Sequence, residues 1–268
     1  MTKISISKYL NVSSYIVDEE YEDVRLDNCL ISRLKNLPRS KIYSIIRKGE
    51  VRVNGSRSKP DRRLKKDDVI RIPPYMIREK ASVEAGKSLI GLLEESIIYN
   101  ENSILILNKP EGLASHGGSG LKLGLIEAVR QIDDKFKNAQ LVHRLDRGTS
   151  GCIVLSLKRS VLRTLNTEMR EGRVEKKYLA ICLGKPWQEK VCQPIGRHPV
   201  RRKEQAIIPE GKEATSLIKV IQSNDKLSLV EVQILTGRTH QIRVHLKSIH
   251  APVLGDSTYG NPSTNLKY

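Results

Sequence analysis

Aromatic side chains are scarce in this chain: one phenylalanine, one tryptophan and nine tyrosines, 4% of 268 residues. So thin a supply leaves little stacking surface for reading unpaired bases by their faces. Long apolar runs are missing too, so no segment reads as a bilayer span. Met1 to Leu10 lacks the apolar core that a secretory signal carries. There are only four cysteines, Cys29, Cys152, Cys182 and Cys192, and none has a partner at Cys-x-x-Cys spacing. That excludes a zinc site of the usual kind, and the cysteine density excludes a secreted disulfide scaffold. His198 near Cys192 adds a second donor, which is too few for a metal, and none is assigned. Internal repeats and low-complexity tracts are also lacking. The expectation is a cytoplasmic chain with reduced, mostly buried thiols.

What the chain has in excess is positive charge. Lysine and arginine number 47 against 30 acidic residues, a net charge of +17 with a pI near 9.8. Such a balance calls for a polyanionic partner. With no membrane segment, nucleic acid is favoured over an acidic bilayer. The length is sufficient for two domains, at least one with a sizeable core.

Residues 1–23 are polar and without strong period, and read as a flexible lead-in with room for a short strand. From residue 24 a compact αα-turn-ββ unit is expected, extending to residue 76. Leu26, Leu30 and Leu34 recur at helical spacing. Leu37-Pro38-Arg39-Ser40 breaks that helix, and Ser40 could cap a second one carrying Ile42, Ile45 and Ile46 and ending at Gly49. Val51-Arg52-Val53-Asn54-Gly55 and Val69-Ile70-Arg71-Ile72 read as strands. Arg39, Lys41, Arg47, Lys48 and Arg52, with Arg57 and Lys59, crowd one part of this unit. A single lysine there would be ordinary solvated surface. A cluster this dense repels itself, and a phosphate backbone relieves that cost.

Residues 77–95 read as a linker with a short helix, and 96–268 as a second domain. Strands are expected at Ile104–Leu107, Gly151–Leu155, Tyr178–Cys182 and Leu229–Ile234, with a helix over 160–170. Strands and helices mixed without regular βαβ alternation predict an α+β fold with a mixed, largely antiparallel sheet.

The most informative stretch runs from Leu141 to Gly151: Leu-Val-His-Arg-Leu-Asp-Arg-Gly-Thr-Ser-Gly. It sets Asp146 between Arg144 and Arg147, ahead of a tight turn. Neighbouring cations favour an ionised carboxylate, ready to act as nucleophile or base. Alone, the same tripeptide would be a surface ion pair. Three further stretches keep it company. Lys176-Lys177-Tyr178 starts a strand, where Tyr178 by itself would be a half-buried packing residue. Thr236-Gly237-Arg238-Thr239-His240-Gln241-Ile242-Arg243-Val244-His245 follows another strand. If extended, it aligns Gln241, Arg243 and His245; if helical, Thr239 and Arg243 share a face. Asn108-Lys109-Pro110 and His116-Gly117-Gly118 make a basic loop region, a weak phosphate signal on its own.

Taken together, these motifs carry a resemblance. Arg25-Leu26-Asp27 through Pro73 resembles an S4 RNA-binding domain, of the αL type. The remainder resembles the catalytic domain of the RluA family of pseudouridine synthases, through Asn108–Pro110, His143–Arg147, Lys177–Ala180 and Gly237–Arg243. Arg47–Asn54, Arg71–Pro74 and the His116–Leu121 loop are similar to the members that act on large-subunit ribosomal RNA. The resemblance implies that a uridine within RNA is detached from its ribose, rotated and rejoined through carbon. It implies Asp146 as the essential carboxylate, acting as nucleophile or as base toward a ribose proton. It implies Arg243 paired with Asp146, and Tyr178 packed on the target base. Arg144 would fill the gap left by the flipped nucleotide. Lys109 is placed with Arg39, Lys41, Arg47, Lys48 and Arg52 among the RNA-binding cations. No cofactor or metal is implied, and the expected partner is 23S ribosomal RNA or its precursor, bound by a monomer. The same chemistry on transfer RNA, and a non-catalytic S4-type ribosome-assembly factor, are the alternatives. Two departures stand out. Gly148 occupies a position where the family usually has aspartate, and the chain stops at Tyr268, soon after Leu254–Gly260. Relatives continue with a further strand, so an uncovered strand edge and apolar surface are expected.

Overall fold

The computed structural model describes residues 7–34, 37–78, 83–118 and 123–268. The chain divides into two compact units, Met1–Thr164 and Leu165–Tyr268. Its strands pair antiparallel throughout, and with the helices they make an α+β protein, as the sequence predicts.

The first unit opens with the helical pair. Leu26–Arg33 and Arg39–Arg47 form helices, and a small sheet in the order Ser13–Ile16, Val69–Ile72, Arg52–Val53, Ser56–Arg57 lies with them. Leu26, Leu30, Ile42, Ile45, Ile46, Val53 and Ile70 are buried in one core, each burial worth about 1.5–3 kcal/mol against exposure. Asp27 is also buried, yet charged. Arg25 and the Tyr43 hydroxyl reach its carboxylate at 2.6 and 3.0 Å, and the Asn28 amide at 2.8 Å. Burial alone would push its pKa up, but these donors outweigh burial and hold it below the ordinary value. Gly49 ends the second helix at φ +71°, where a Cβ would strike the Arg57 side chain.

The lead-in is more structured than expected. Ser13–Ile16 pairs with Val69–Ile72, and Val17 and Tyr21 are buried in the same core. Ser13–Ile16 is the short strand for which the lead-in had room, and residues 13–21 belong to this fold; residues 1–6 lie outside the described residues. In the linker, Lys87–Glu95 is the expected helix, while residues 79–82 lie outside the described residues.

A second sheet follows in the order Ile97–Glu101, Ile104–Lys109, Gly151–Ser156, Gln140–Leu141. Leu105 pairs with Leu155 and Leu107 with Ile153, all four buried. This register brings Lys109 opposite Gly151, at the mouth of the Val142–Ser150 loop that carries Asp146.

In the second unit the sheet order is Lys177–Leu183, Leu227–Ile234, Thr215–Ser223, Lys190–Cys192. The helix Gln241–Ser248 packs Leu246 with Ile249 against Cys182, Ile218, Val230 and Val232. Leu179 and Ile181 stand exposed on the strand Lys177–Leu183 at the end of this sheet. Yet the outer edge of that strand is bonded to the segment around Val253, Leu183 N to Pro252 O at 2.9 Å and Leu254 N to Ile181 O at 2.8 Å, so the expected uncovered edge is not found there. Cys29 and Cys182 are buried, one in each unit, and Cys152 and Cys192 are exposed, again one in each. Burial pushes the two inner thiols up to about 11 and about 12. Half of the expectation of buried cysteines thus fails.

His245 is fully buried in this unit, its Nδ1 2.9 Å from Ser216 Oγ and its Nε2 3.1 Å from the Gln193 carbonyl. Burial lowers its pKa, outweighing the raising effect of the Gln193 bond. An unfolded chain takes up a proton near pH ~6.5 that the folded imidazole refuses. The contribution of His245 to stability is therefore complete above that pH and lost as pH falls below it. Urea unfolding between pH 8 and 5 should show this slope in the wild type and a flatter one in His245→Asn.

Candidate active site

Asp146 sits half-buried in a loop fastened on both sides by backbone bonds. Before it, the Ser115 hydroxyl accepts from Leu145 N at 3.0 Å and donates to Leu145 O at 2.6 Å. After it, Gly112 N donates to Arg147 O at 2.9 Å, and Arg147 Nε returns a bond to Gly112 O at 2.8 Å. Thr149 N closes the turn on Asp146 O at 3.1 Å. His143 accepts from Val154 N through Nε2 at 3.0 Å, which fixes that ring against the neighbouring strand. Backbone groups of Leu145, Asp146, Arg147 and Thr149 would otherwise lack partners within regular structure, and these bonds satisfy them with fixed geometry.

Lys109 is fully buried, and its ammonium donates to the carbonyls of Pro110 at 2.8 Å, Leu113 at 2.7 Å and Arg147 at 3.4 Å. Burial lowers its pKa, opposed by the negative charge of Asp146 and then of Glu111. A cation so enclosed is spent on holding the two loops together and cannot meet a phosphate. The expectation that Lys109 binds RNA is corrected accordingly.

The His116 loop is likewise tied inward. Gly117 N and Gly124 N both donate to Glu127 Oε2 at 2.9 Å, so these amides are taken up internally rather than offered to an anion. Ser119, Gly120 and Leu121 of that motif lie outside the described residues.

The second unit carries Tyr178 and Arg243. Tyr178 is half-buried at the start of its strand, paired with Val232 and packed on the sheet core. The Thr236–Arg243 stretch turns into a helix only from Gln241, which rules out the extended reading of Gln241, Arg243 and His245. Thr239 lies ahead of the helix and shares no helical face with Arg243. Gln241 and His245, one turn apart, are both buried, and Gln241 ties the turn to Thr215, Ser216, Thr236 and Arg238. Arg243 lies on a less buried side of that helix. Its guanidinium makes a bidentate pair with Asp256, Nε to Oδ2 at 2.6 Å and Nη2 to Oδ1 at 2.9 Å. The amides of Thr258 and Tyr259 add bonds to Oδ1 at 2.8 and 2.9 Å. Burial raises the pKa of Asp256, but these donors prevail and hold it below the usual carboxylate range. The Tyr259 ring lies 4.8 Å from the guanidinium carbon, and its hydroxyl is 2.8 Å from His240 Nδ1. His240 takes the left-handed conformation, φ +56°, at the start of the helix.

Asp256 and Tyr259 were not among the candidate residues from sequence. Their signal was the Gly255-Asp256-Ser257-Thr258-Tyr259-Gly260 turn, where a carboxylate follows glycine and can take the amides two and three residues on. Arg144, Arg39, Lys41, Arg47, Lys48 and Arg52 are exposed. Among the described residues, no cluster of three or more potential ligands could hold a metal ion.

Comparison with known proteins gives the family. The sequence profile of the RNA pseudouridylate synthase family matches residues 103–248, and that of the S4 domain matches residues 24–70. An enzyme named ribosomal large subunit pseudouridine synthase C, from Vibrio parahaemolyticus, is 40% identical over 91% of this chain and 79% of its own. The protein of the same name from Buchnera aphidicola is 42% identical over 94% of this chain and 82% of its own. Among solved structures, human RNA pseudouridylate synthase domain containing 1 superposes with a TM-score of 0.56 at 28% identity, covering 69% of this chain and 76% of that one. The profile covers the Asp146 loop, Tyr178 and Arg243 alike, and the chain belongs to the RNA pseudouridylate synthase family, with an S4 domain ahead of the catalytic region.

Proposed function

We propose that this enzyme converts specific uridines of large-subunit (23S) ribosomal RNA to pseudouridine. One observation carries the substrate above the others: 40% identity over 91% of the chain to an enzyme named for the large ribosomal subunit. The exposed cations of the S4 region supply a phosphate-binding surface that depends little on sequence. Arg144, exposed two residues before Asp146, is assigned to the space that a flipped uridine vacates.

In the proposed chemistry Asp146 acts on the ribose, either by attack at the anomeric carbon or by removing a ribose proton. The bond from uracil N1 to the sugar breaks, the base rotates, and a bond from uracil C5 to the same carbon forms, as the Asp146–sugar bond breaks in the first route or as the ribose regains its proton in the second. The hydrogen on C5 is then lost, and Tyr178, packed beside the base, is assigned to that end of the reaction. Arg243, bound by Asp256, is the cation assigned to pair with Asp146. The isomerisation consumes no co-substrate, and the enzyme is proposed to work as a cytoplasmic monomer. No helix among the described residues is long and apolar enough to cross a membrane.

The test is nucleotide-resolution mapping of pseudouridine after incubation with unmodified large-subunit ribosomal RNA. A few discrete converted sites are expected. Conversion confined to transfer RNA would reassign the substrate. Tight binding without any conversion would leave an RNA-binding assembly factor.

A further inference from the structure

The proposal concerns Ser115, which no motif singles out, and it rests on the reading of Asp146 as the catalytic carboxylate. Ser115 is 3% exposed, and its single hydroxyl serves both backbone groups of Leu145. This is the pair of bonds that a neighbouring strand would ordinarily provide, here made by a side chain. The Leu145 carbonyl belongs to the peptide plane whose other end is the Asp146 nitrogen. Fixing that plane places the Asp146 nitrogen and Cα, and with the Asp146 carbonyl held by Thr149 N at 3.1 Å it restricts the direction from which the side chain leaves the backbone.

Ser115 is itself well anchored. Its carbonyl accepts from Ile126 N at 3.2 Å, and the carbonyl of Ala114 accepts from Leu125 N at 2.8 Å. Both donors are first-turn amides of the helix Leu125–Val129, whose Leu125, Ile126, Ala128 and Val129 are buried. The line of support runs from that buried helix through Ser115 to Leu145 and so to Asp146. On the far side, the Gly112–Arg147 pair and Lys109 hold the next residue. Asp146 is bracketed, and Ser115 is the bracket closest to it that a point substitution can remove without altering charge.

We propose that Ser115 is a positioning residue for Asp146, setting the orientation of the Leu145–Asp146 peptide through a two-way hydroxyl bridge. A displacement of roughly an ångström at a reacting group can cost about a hundredfold in rate. The expected result for Ser115→Ala is a fall in kcat of roughly tenfold to a hundredfold, with KM and RNA affinity within about twofold of wild type. Ser115→Thr, which keeps the hydroxyl, should recover most of the rate.

The experiment is single-turnover conversion of ribosomal RNA by wild type, Ser115→Ala, Ser115→Thr and Asp146→Asn, run well below the melting temperature of each full-length protein. Ser115→Ala slow with Ser115→Thr recovered supports the proposal. Ser115→Ala at the wild-type rate with only a lower Tm overturns it, because the hydroxyl then serves stability alone. Equal loss in both serine variants also overturns it, since side-chain volume rather than the hydroxyl would be responsible. A fully active Asp146→Asn would instead refute the underlying reading, independently of the serine results.

Discussion

Asp146→Asn is expected to reduce pseudouridine formation by more than about a thousandfold while leaving the fold and RNA affinity in place. Asparagine matches aspartate in shape but offers neither a charged oxygen for attack nor a base for a ribose proton. The bonds from Ser115 to Leu145, between Gly112 and Arg147, and from Thr149 N to the Asp146 carbonyl are left in place by the substitution. Release of hydrogen from uracil C5 in a single turnover measures the effect directly, because that hydrogen is lost only when the new carbon bond is made. A variant within tenfold of wild type would remove Asp146 from the chemistry.

Asp256→Ala should be the most damaging change outside that loop. The Asp256 carboxylate is 4% exposed and receives two bonds from Arg243 and two from backbone amides. Its removal leaves a half-buried guanidinium without this partner and frees two amides together. Breaking such a pair from one side costs about 3 kcal/mol or more, which lowers Tm by roughly 6–12 °C in a chain of this size. Arg243 also loses its orientation, so conversion should fall even at temperatures where the variant is folded. Asp256→Asn, which keeps oxygen acceptors for the amides but not the charge, should fall between alanine and wild type in Tm. Thermal unfolding followed by circular dichroism, paired with the C5 assay, separates the two effects. An alanine variant melting within about 2 °C of wild type would show that the pair contributes little.

Much of the architecture was legible from periodicity. The Leu26, Leu30, Leu34 stripe marks the first helix, and the isoleucines at 42, 45 and 46 mark the second. The apolar runs at Ile104 and Leu229 are strands. Such patterns are local, and burial on one face writes them into the sequence. Residues 13–17 suggested no more than room for a short strand, because two of the four strand residues are serine and the pairing partners lie 53 to 59 residues away in sequence, Ile16 opposite Val69 and Ser13 opposite Ile72. Pairing of that range leaves little local trace.

The site divides in the same way. Asp146, Tyr178 and Arg243 stand in dense motifs that betray a purpose. Lys109 stands in such a motif too, and there charge misleads: a lysine beside asparagine and proline reads as surface, whereas its ammonium is enclosed by carbonyls from both flanking loops. Ser115 and Asp256 act through partners 30 and 13 residues away. Residue type alone gives no hint of such partners, since serine and aspartate are ordinary turn formers.

The distribution of thiols has a practical consequence. One exposed cysteine lies in each unit, Cys152 in the first and Cys192 in the second, while the other two are buried with their thiols held protonated. A maleimide-linked spin label or dye would therefore mark each unit once, at native positions. The spacing between the two probes, with and without bound RNA, then becomes a ruler that the unaltered sequence already contains.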